Sequence, residues 1–295
     1  MSEQNTRLGI LLMIATSIIF AIQDGISRHL AGEYNVYMIV MIRYWFLAVF
    51  VAVVAARKAG GMRRAVTTHF PVIQVIRGLL LALEICVTVT AFVRLGLIAS
   101  HAVFACYPLL IAALSGPVLG ERVGWRRWIA IGTGFVGVLV ILEPGYKVFS
   151  PEALIPFLAA VMFALYGLLT RHVGRKDPAM VSFFWTGASG AVIMTAIGLW
   201  YWQPLLGIDR VWMALLCGTS ATGHWLLIRA LEVAEASAIQ PFAYFQLVFV
   251  SLIGLLVFGE TLEANVVAGA AIVVGAGLFT LWRTRRKAIL LEGPG

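Results

Sequence analysis

Four ionisable side chains, Asp24, Arg43, Arg77 and Glu84, sit inside long apolar runs of the chain. At the centre of a bilayer such a charge costs at least about 2.5–3.5 kcal/mol on insertion scales, so it persists where it is paired or useful. Asp24 and Arg43 fall at matching depths in their runs. That points to a structural ion pair, or else to gating or direct contact with a solute or ion. Arg77, Leu81, Glu84 and Thr88 recur at helical spacing and share one face. Arg77 is near enough to the end of its run to send its head to the interface. Glu84, mid-run, suits three roles: a neutral hydrogen-bonding group, a partner for a cation, or a seat for a solute ammonium.

Aromatic residues form the second constellation. Phe20, Tyr107, Phe163, Tyr166 and Tyr244 lie within about two turns of mid-run, with Trp185 and Trp225 nearer one end. A buried tyrosine hydroxyl needs a partner. Tyr107 precedes Pro108 and Tyr244 follows Pro241, so each is expected beside a helix break that frees carbonyls to face a cavity. Together with Glu84, Thr88, Trp225 and Gln246, the residues Phe20, Phe163, Tyr107, Tyr166 and Tyr244 make the expected substrate site, with core packing as the alternative for each aromatic. Trp200, Tyr201, Trp202, Trp212 and Trp282 read as interfacial anchors.

Other chemistries find no foothold. His101, His224 and Gln246 have no partner at metal-ligand spacing and read as hydrogen-bonding or cavity-lining groups. There is no H-E-x-x-H, G-x-S-x-G or G-x-x-x-x-G-K-[ST], so neither catalysis nor direct ATP coupling is expected, and no cofactor or metal. Gly132-Thr133-Gly134-Phe135-Val136-Gly137 copies a dinucleotide fingerprint, but no strand precedes it; its glycines read as a helix-packing surface. Cys86, Cys106 and Cys217 lie in apolar runs and read as packing residues.

The elements that position these residues follow from hydropathy. The chain is 61% hydrophobic and 12% charged, with a mean hydropathy of +0.94, whereas a soluble domain is about 25% charged. Ten runs are predicted to span a bilayer: Leu8–Ser27, Tyr37–Ala56, Phe70–Val93, Leu97–Leu119, Arg127–Leu142, Ala153–Thr170, Ala179–Tyr201, Val211–Ile228, Ser237–Phe258 and Ala264–Trp282. The net charge of +8 is spread in short clusters between the runs, which excludes a nucleic-acid face. With the N-terminus inside, about 16 Lys and Arg fall on the cytoplasmic side and about four outside. Both termini are therefore expected in the cytoplasm of a bacterial inner membrane.

A weak repeat divides the chain. Ala99-Ser100-His101 opens a run closed by Gly120-Glu121-Arg122, and Ala238-Ile239-Gln240 opens one closed by Gly259-Glu260-Thr261, 139 positions later. Five spans per half would make the halves inverted, with a solute site at their interface near the midplane. Residues 1–148 are read as the first half, 149–287 as the second, and 288–295 as a disordered tail or cloning remnant.

This pattern resembles the EamA-type branch of the drug/metabolite transporter superfamily over essentially the whole chain, most specifically at Gly120-Glu121-Arg122. Leu83-Glu84-Ile85-Cys86 is similar to a segment of bacterial aromatic amino-acid exporters. The resemblance implies an all-α integral membrane protein exporting or facilitating amino acids or related metabolites. A proton-coupled exporter of drugs or organic cations is the first alternative; a receptor or scaffold, or an intramembrane enzyme, is more remote. The expected partners are a small-molecule substrate and the lipid bilayer.

Overall fold

The computed structural model describes residues 6–57, 61–119, 125–141, 151–233 and 240–292. Twelve α-helices are described: α1 (Thr6–Glu33), α2 (Val36–Arg57), α3 (Gly61–Val66), α4 (Pro71–Leu95), α5 (Leu97–Phe104), α6 (Tyr107–Leu119), α7 (Trp125–Ile141), α8 (Pro151–Val173), α9 (Ala179–Gly198), α10 (Asp209–Val233), α11 (Phe245–Phe258) and α12 (Ala264–Glu292). Short 3-10 turns occupy Leu199–Tyr201 and Gln240–Tyr244, and no strand occurs among the described residues.

Among the described residues, five helices, α1, α2, α4, α8 and α9, are long and apolar enough to cross a membrane. Shorter apolar stretches follow at Leu97–Ile111, Trp128–Ile141, Phe242–Phe258 and Ala264–Phe279. Large apolar side chains such as Leu11, Val49, Val72, Val192, Leu256 and Val257 are exposed. Water would penalise so much exposed apolar surface, whereas lipid tails solvate it.

Successive long helices reverse direction, so the bundle has a near end, where α1 starts, and a far end, where α1 stops. α1 packs on α10, α4 on α8 and α9, α2 on α9, and α7 on α12. The α7–α12 contact explains the glycine-dotted run. A Cβ on Gly137 would meet the Gly269 carbonyl, and one on Gly269 the Gly137 carbonyl, while Gly134 holds Leu109 and Ala276 against it. Backbones approach this closely only where both faces lack side chains.

Several boundaries differ from expectation. α1 runs past Ser27 to Glu33, and Arg28 within that extension is paired with Glu260. The basic segment around Arg63 and Arg64 forms the extra helix α3. α12 continues to Glu292, into the stretch read as a disordered tail. Gly120-Glu121-Arg122 lies outside the described residues.

Candidate functional site

Both expected helix breaks are present and face each other. The first is a turn at Ala105–Cys106 between α5 and α6; the second is the 3-10 turn Gln240–Tyr244 before α11. His101, Phe104, Ala105 and Tyr107 from the first meet Ala243, Tyr244, Gln246 and Leu247 from the second around a cavity of ≈ 30 Å³. That volume holds about two waters, whereas ligand pockets measure about 300–1,000 Å³; the cavity is closed to a metabolite. Tyr107 meets Phe163 edge-on at 5.0 Å, and Phe104 lies 5.4 Å from the same ring. The buried Tyr244 hydroxyl has no hydrogen-bond partner among the described residues. Its tip occupies space left by the missing side chain of Gly277.

Behind the cavity lies a buried polar relay. Asp24 on α1 accepts from Gln246 Nε2 at 2.9 Å and, more loosely, from Gln23 Nε2 at 3.4 Å. His101 Nε2 approaches the same carboxylate at 3.1 Å without the alignment of a hydrogen bond, and its ring stacks on Phe92 at 5.0 Å. Arg43 donates to Ser220 Oγ at 2.6 Å and to Gln23 Oε1 at 3.3 Å. The expected direct Asp24–Arg43 ion pair is therefore absent: the Gln23 amide, accepting from one and donating to the other, stands between them.

The near end is closed by a second network. Arg77, 1% exposed, donates to Gln74 Oε1, Tyr166 Oη at 3.2 Å, Thr170 Oγ1 at 3.1 Å and the Ser182 carbonyl. Its head thus ends within protein instead of reaching the interface. Gln74 also donates to Asp177 at 2.9 Å. Asp177, in the loop between α8 and α9, further accepts from Thr68 Oγ1 and from the His69 backbone N–H at 3.0 Å, and contacts His69 Nδ1 at 2.9 Å. Burial alone would raise its pKa, but hydrogen bonds from the His69 backbone, Thr68, Gln74 and the His69 ring outweigh this and hold it down at about 2.

The far end carries its own polar ties. Glu260 accepts from the backbone N–H groups of Leu97 and Ile98 at 2.7 and 2.9 Å and pairs with Arg28. It occupies the place a Cβ on Gly96 would take, and Gly96 has φ +87°; both require glycine there. Asp209 accepts from Tyr34 Oη at 2.9 Å and faces His29 Nε2 at 3.4 Å.

The expected site residues separate on this map. Tyr107, Tyr244 and Gln246 line the cavity, and Phe163 backs Tyr107. Tyr166 belongs to the Arg77 network. Phe20 packs edge-on against His224 of α10 at 5.1 Å. Glu84 is buried and accepts from Thr88 Oγ1 at 2.6 Å; neither lines the cavity, though Glu84 lies within electrostatic reach of Arg43 and Asp24. Trp225, half-buried on α10, also lies outside the lining. Gln23, Phe104 and Ser220 join the site without having been singled out by sequence. No metal-holding group of His, Cys, Asp or Glu occurs among the described residues.

The EamA-like transporter family profile matches residues 7–143 and 151–282. The S-adenosylmethionine uptake transporter of Rickettsia prowazekii is 23% identical over 279 residues, covering 95% of this chain and 94% of that protein. The riboflavin transporter of Vibrio cholerae is 27% identical over 283 residues, 95% of each chain. A protein of known crystal structure, 17% identical, has the same fold, with a TM-score of 0.63 over 95% of this chain and 97% of that one. Neither named relative is an aromatic amino-acid exporter, so these relatives lend the narrower resemblance at Leu83–Cys86 no support. With both long segments matched, the chain belongs to the EamA-like transporter family of multi-pass membrane proteins that carry small metabolites.

Proposed function

We propose that this chain is a secondary transporter working by alternating access between two inverted five-helix halves, residues 1–148 and 149–287, in a bacterial inner membrane with both termini cytoplasmic. The observation that carries the reading is the cavity, to which α5 and α6 contribute from the first half and the Gln240–Tyr244 turn and α11 from the second. A solute seated there touches both moving parts. Helix pairing supports the inversion. Exchanging the halves converts the α1–α10 contact into α8–α4 and maps α2–α9 and α7–α12 onto themselves. The charge asymmetry supports the orientation.

The solute is a planar nitrogen heterocycle or a metabolite built on one. The substrates in the relatives' names share that feature: S-adenosylmethionine carries adenine and riboflavin an isoalloxazine. Phe104, Tyr107, Phe163 and Tyr244 offer stacking faces, and Gln246 offers an amide for an edge. An amino-acid substrate has no such support. The test is uptake into proteoliposomes of riboflavin, S-adenosylmethionine and labelled amino acids, with single cysteines at Ala243 probed by impermeant reagent from each side. Uptake of a heterocyclic probe and reactivity of the Ala243 position from both sides are expected. Absence of uptake together with reactivity from one side only overturns alternating access at this cavity.

A further inference from the structure

Asp24 is 7% exposed, and each of its polar contacts is nitrogen: Gln246 Nε2, Gln23 Nε2 and His101 Nε2. No Lys or Arg lies within ion-pair distance of it among the described residues. Arg43, the guanidinium in this region, is hydrogen-bonded to Ser220 and Gln23, and a second buried carboxyl, Glu84, is within reach of the same arginine. His224, on α10, is also within electrostatic reach of Asp24 and Arg43.

Two further polar atoms remain unspent at the same place. Among the described residues, the buried Tyr244 hydroxyl and His101 Nε2 make no hydrogen bond, and both residues line the cavity together with Gln246. Two of the groups that contact Asp24, His101 and Gln246, therefore form the partition between it and the cavity. Opening the cavity to metabolite size displaces this partition and uncovers the carboxylate. A buried carboxylate losing its amide donor needs a replacement, and a solute cation is the strongest one available.

We propose that Asp24 selects the solute by charge, so that the transported molecule bears a cationic centre attached to its heterocycle and places that centre where Gln246 and His101 now meet the carboxylate. The proposal rests on the transporter reading above and narrows its substrate class. Among the described residues the cavity lining offers no Lys or Arg, so an anionic solute would find no cation there to pair with.

A matched pair of probes tests this without any mutation. 5′-Methylthioadenosine and its S-methyl sulfonium differ by one methyl group and the positive charge on sulfur, and neither carries an ammonium group. Equilibrium binding to the purified full chain should favour the sulfonium at least about tenfold, the effect of about 1.4 kcal/mol of charge recognition. Asp24→Asn should collapse that preference by weakening the sulfonium, and Asp24→Glu should keep it. Equal affinity of wild type for the two probes overturns the proposal, as does binding of neither, or a preference that survives Asp24→Asn. Uptake of neutral riboflavin alongside any of those results would leave the transporter reading standing and remove only the charge selection.

Discussion

Asp177 and Asp209 stand at opposite ends of the bundle, and each ties together two helices from different halves of the chain. Asp209, at the start of α10, accepts from Tyr34 at the far end of α1; Asp177, just past α8, accepts from Thr68, His69 and Gln74 around the start of α4. In the inverted-repeat arrangement proposed above, the α1–α10 junction corresponds to the α8–α4 junction, and the two aspartates hold corresponding seams. Both seams are tied here, consistent with a cavity closed to solutes.

Asp177 gives a prediction with a defined pH window. Its pKa is held at about 2, below the 3.8 of a free aspartate. A group with a depressed folded pKa stabilises fully above its unfolded pKa and loses that contribution as pH falls through the folded value. Asp177→Asn should therefore cost about 2–3 kcal/mol at pH 7, the scale of hydrogen bonds to a charged group. The gap from wild type should shrink below about pH 4 and nearly vanish by pH 2. Thermal unfolding in detergent across this range measures it; a gap independent of pH would rule out a charged role for this carboxylate.

The same residue shows what the sequence could not disclose. Gly174-Arg175-Lys176-Asp177 is a polar loop between two apolar runs. Its partners become neighbours only when α4 packs on α8 and α9. The proline-flanked breaks were legible because Pro108 and Pro241 act locally on the backbone. His101 was noticed as a lone polar group, but its contact with Asp24 spans two helices and leaves no spacing to detect. The Asp24–Arg43 depth match was legible and yet misleading: depth fixes one coordinate, while Gln23, beside Asp24 in the chain, takes the intervening position.

Glu260 offers a test of the far end. It accepts two backbone N–H groups at the start of α5 and pairs with Arg28, whose guanidinium also lies 4.1 Å from the Phe258 ring centre. Glu260→Gln should cost about 1–3 kcal/mol, and a double-mutant cycle with Arg28→Gln should show coupling of at least about 0.5 kcal/mol. Additive effects would mean that the carboxylate serves only as a helix cap.

For Asp24 and Arg43, the relay predicts coupling that depends on a third residue. A cycle of Asp24→Asn and Arg43→Gln, read by unfolding in detergent, should give a measurable interaction in wild type. That interaction should fall by at least half when Gln23 is Ala, because the amide carries the contact. Undiminished coupling in Gln23→Ala would restore the direct pair.

The last prediction uses the unpartnered hydroxyl of Tyr244, whose tip lies where a Cβ on Gly277 would be. Tyr244→Phe removes a buried polar group that satisfies nothing in the closed structure, so folding stability should stay level or rise by up to about 1–2 kcal/mol. Solute binding should weaken if that hydroxyl is kept for the solute. Gly277→Ala drives the ring tip away from α12, where the open space is the cavity itself, and should sharply lower transport with folded protein still in the membrane. Combining Gly277→Ala with Tyr244→Phe removes the colliding oxygen and should recover part of the lost transport. Uptake assays at matched protein levels, paired with thermal unfolding, separate these outcomes. If Gly277→Ala transports normally, the Tyr244 ring does not border the solute's path; if the double variant is as poor as Gly277→Ala alone, the collision lies with the ring and not its hydroxyl.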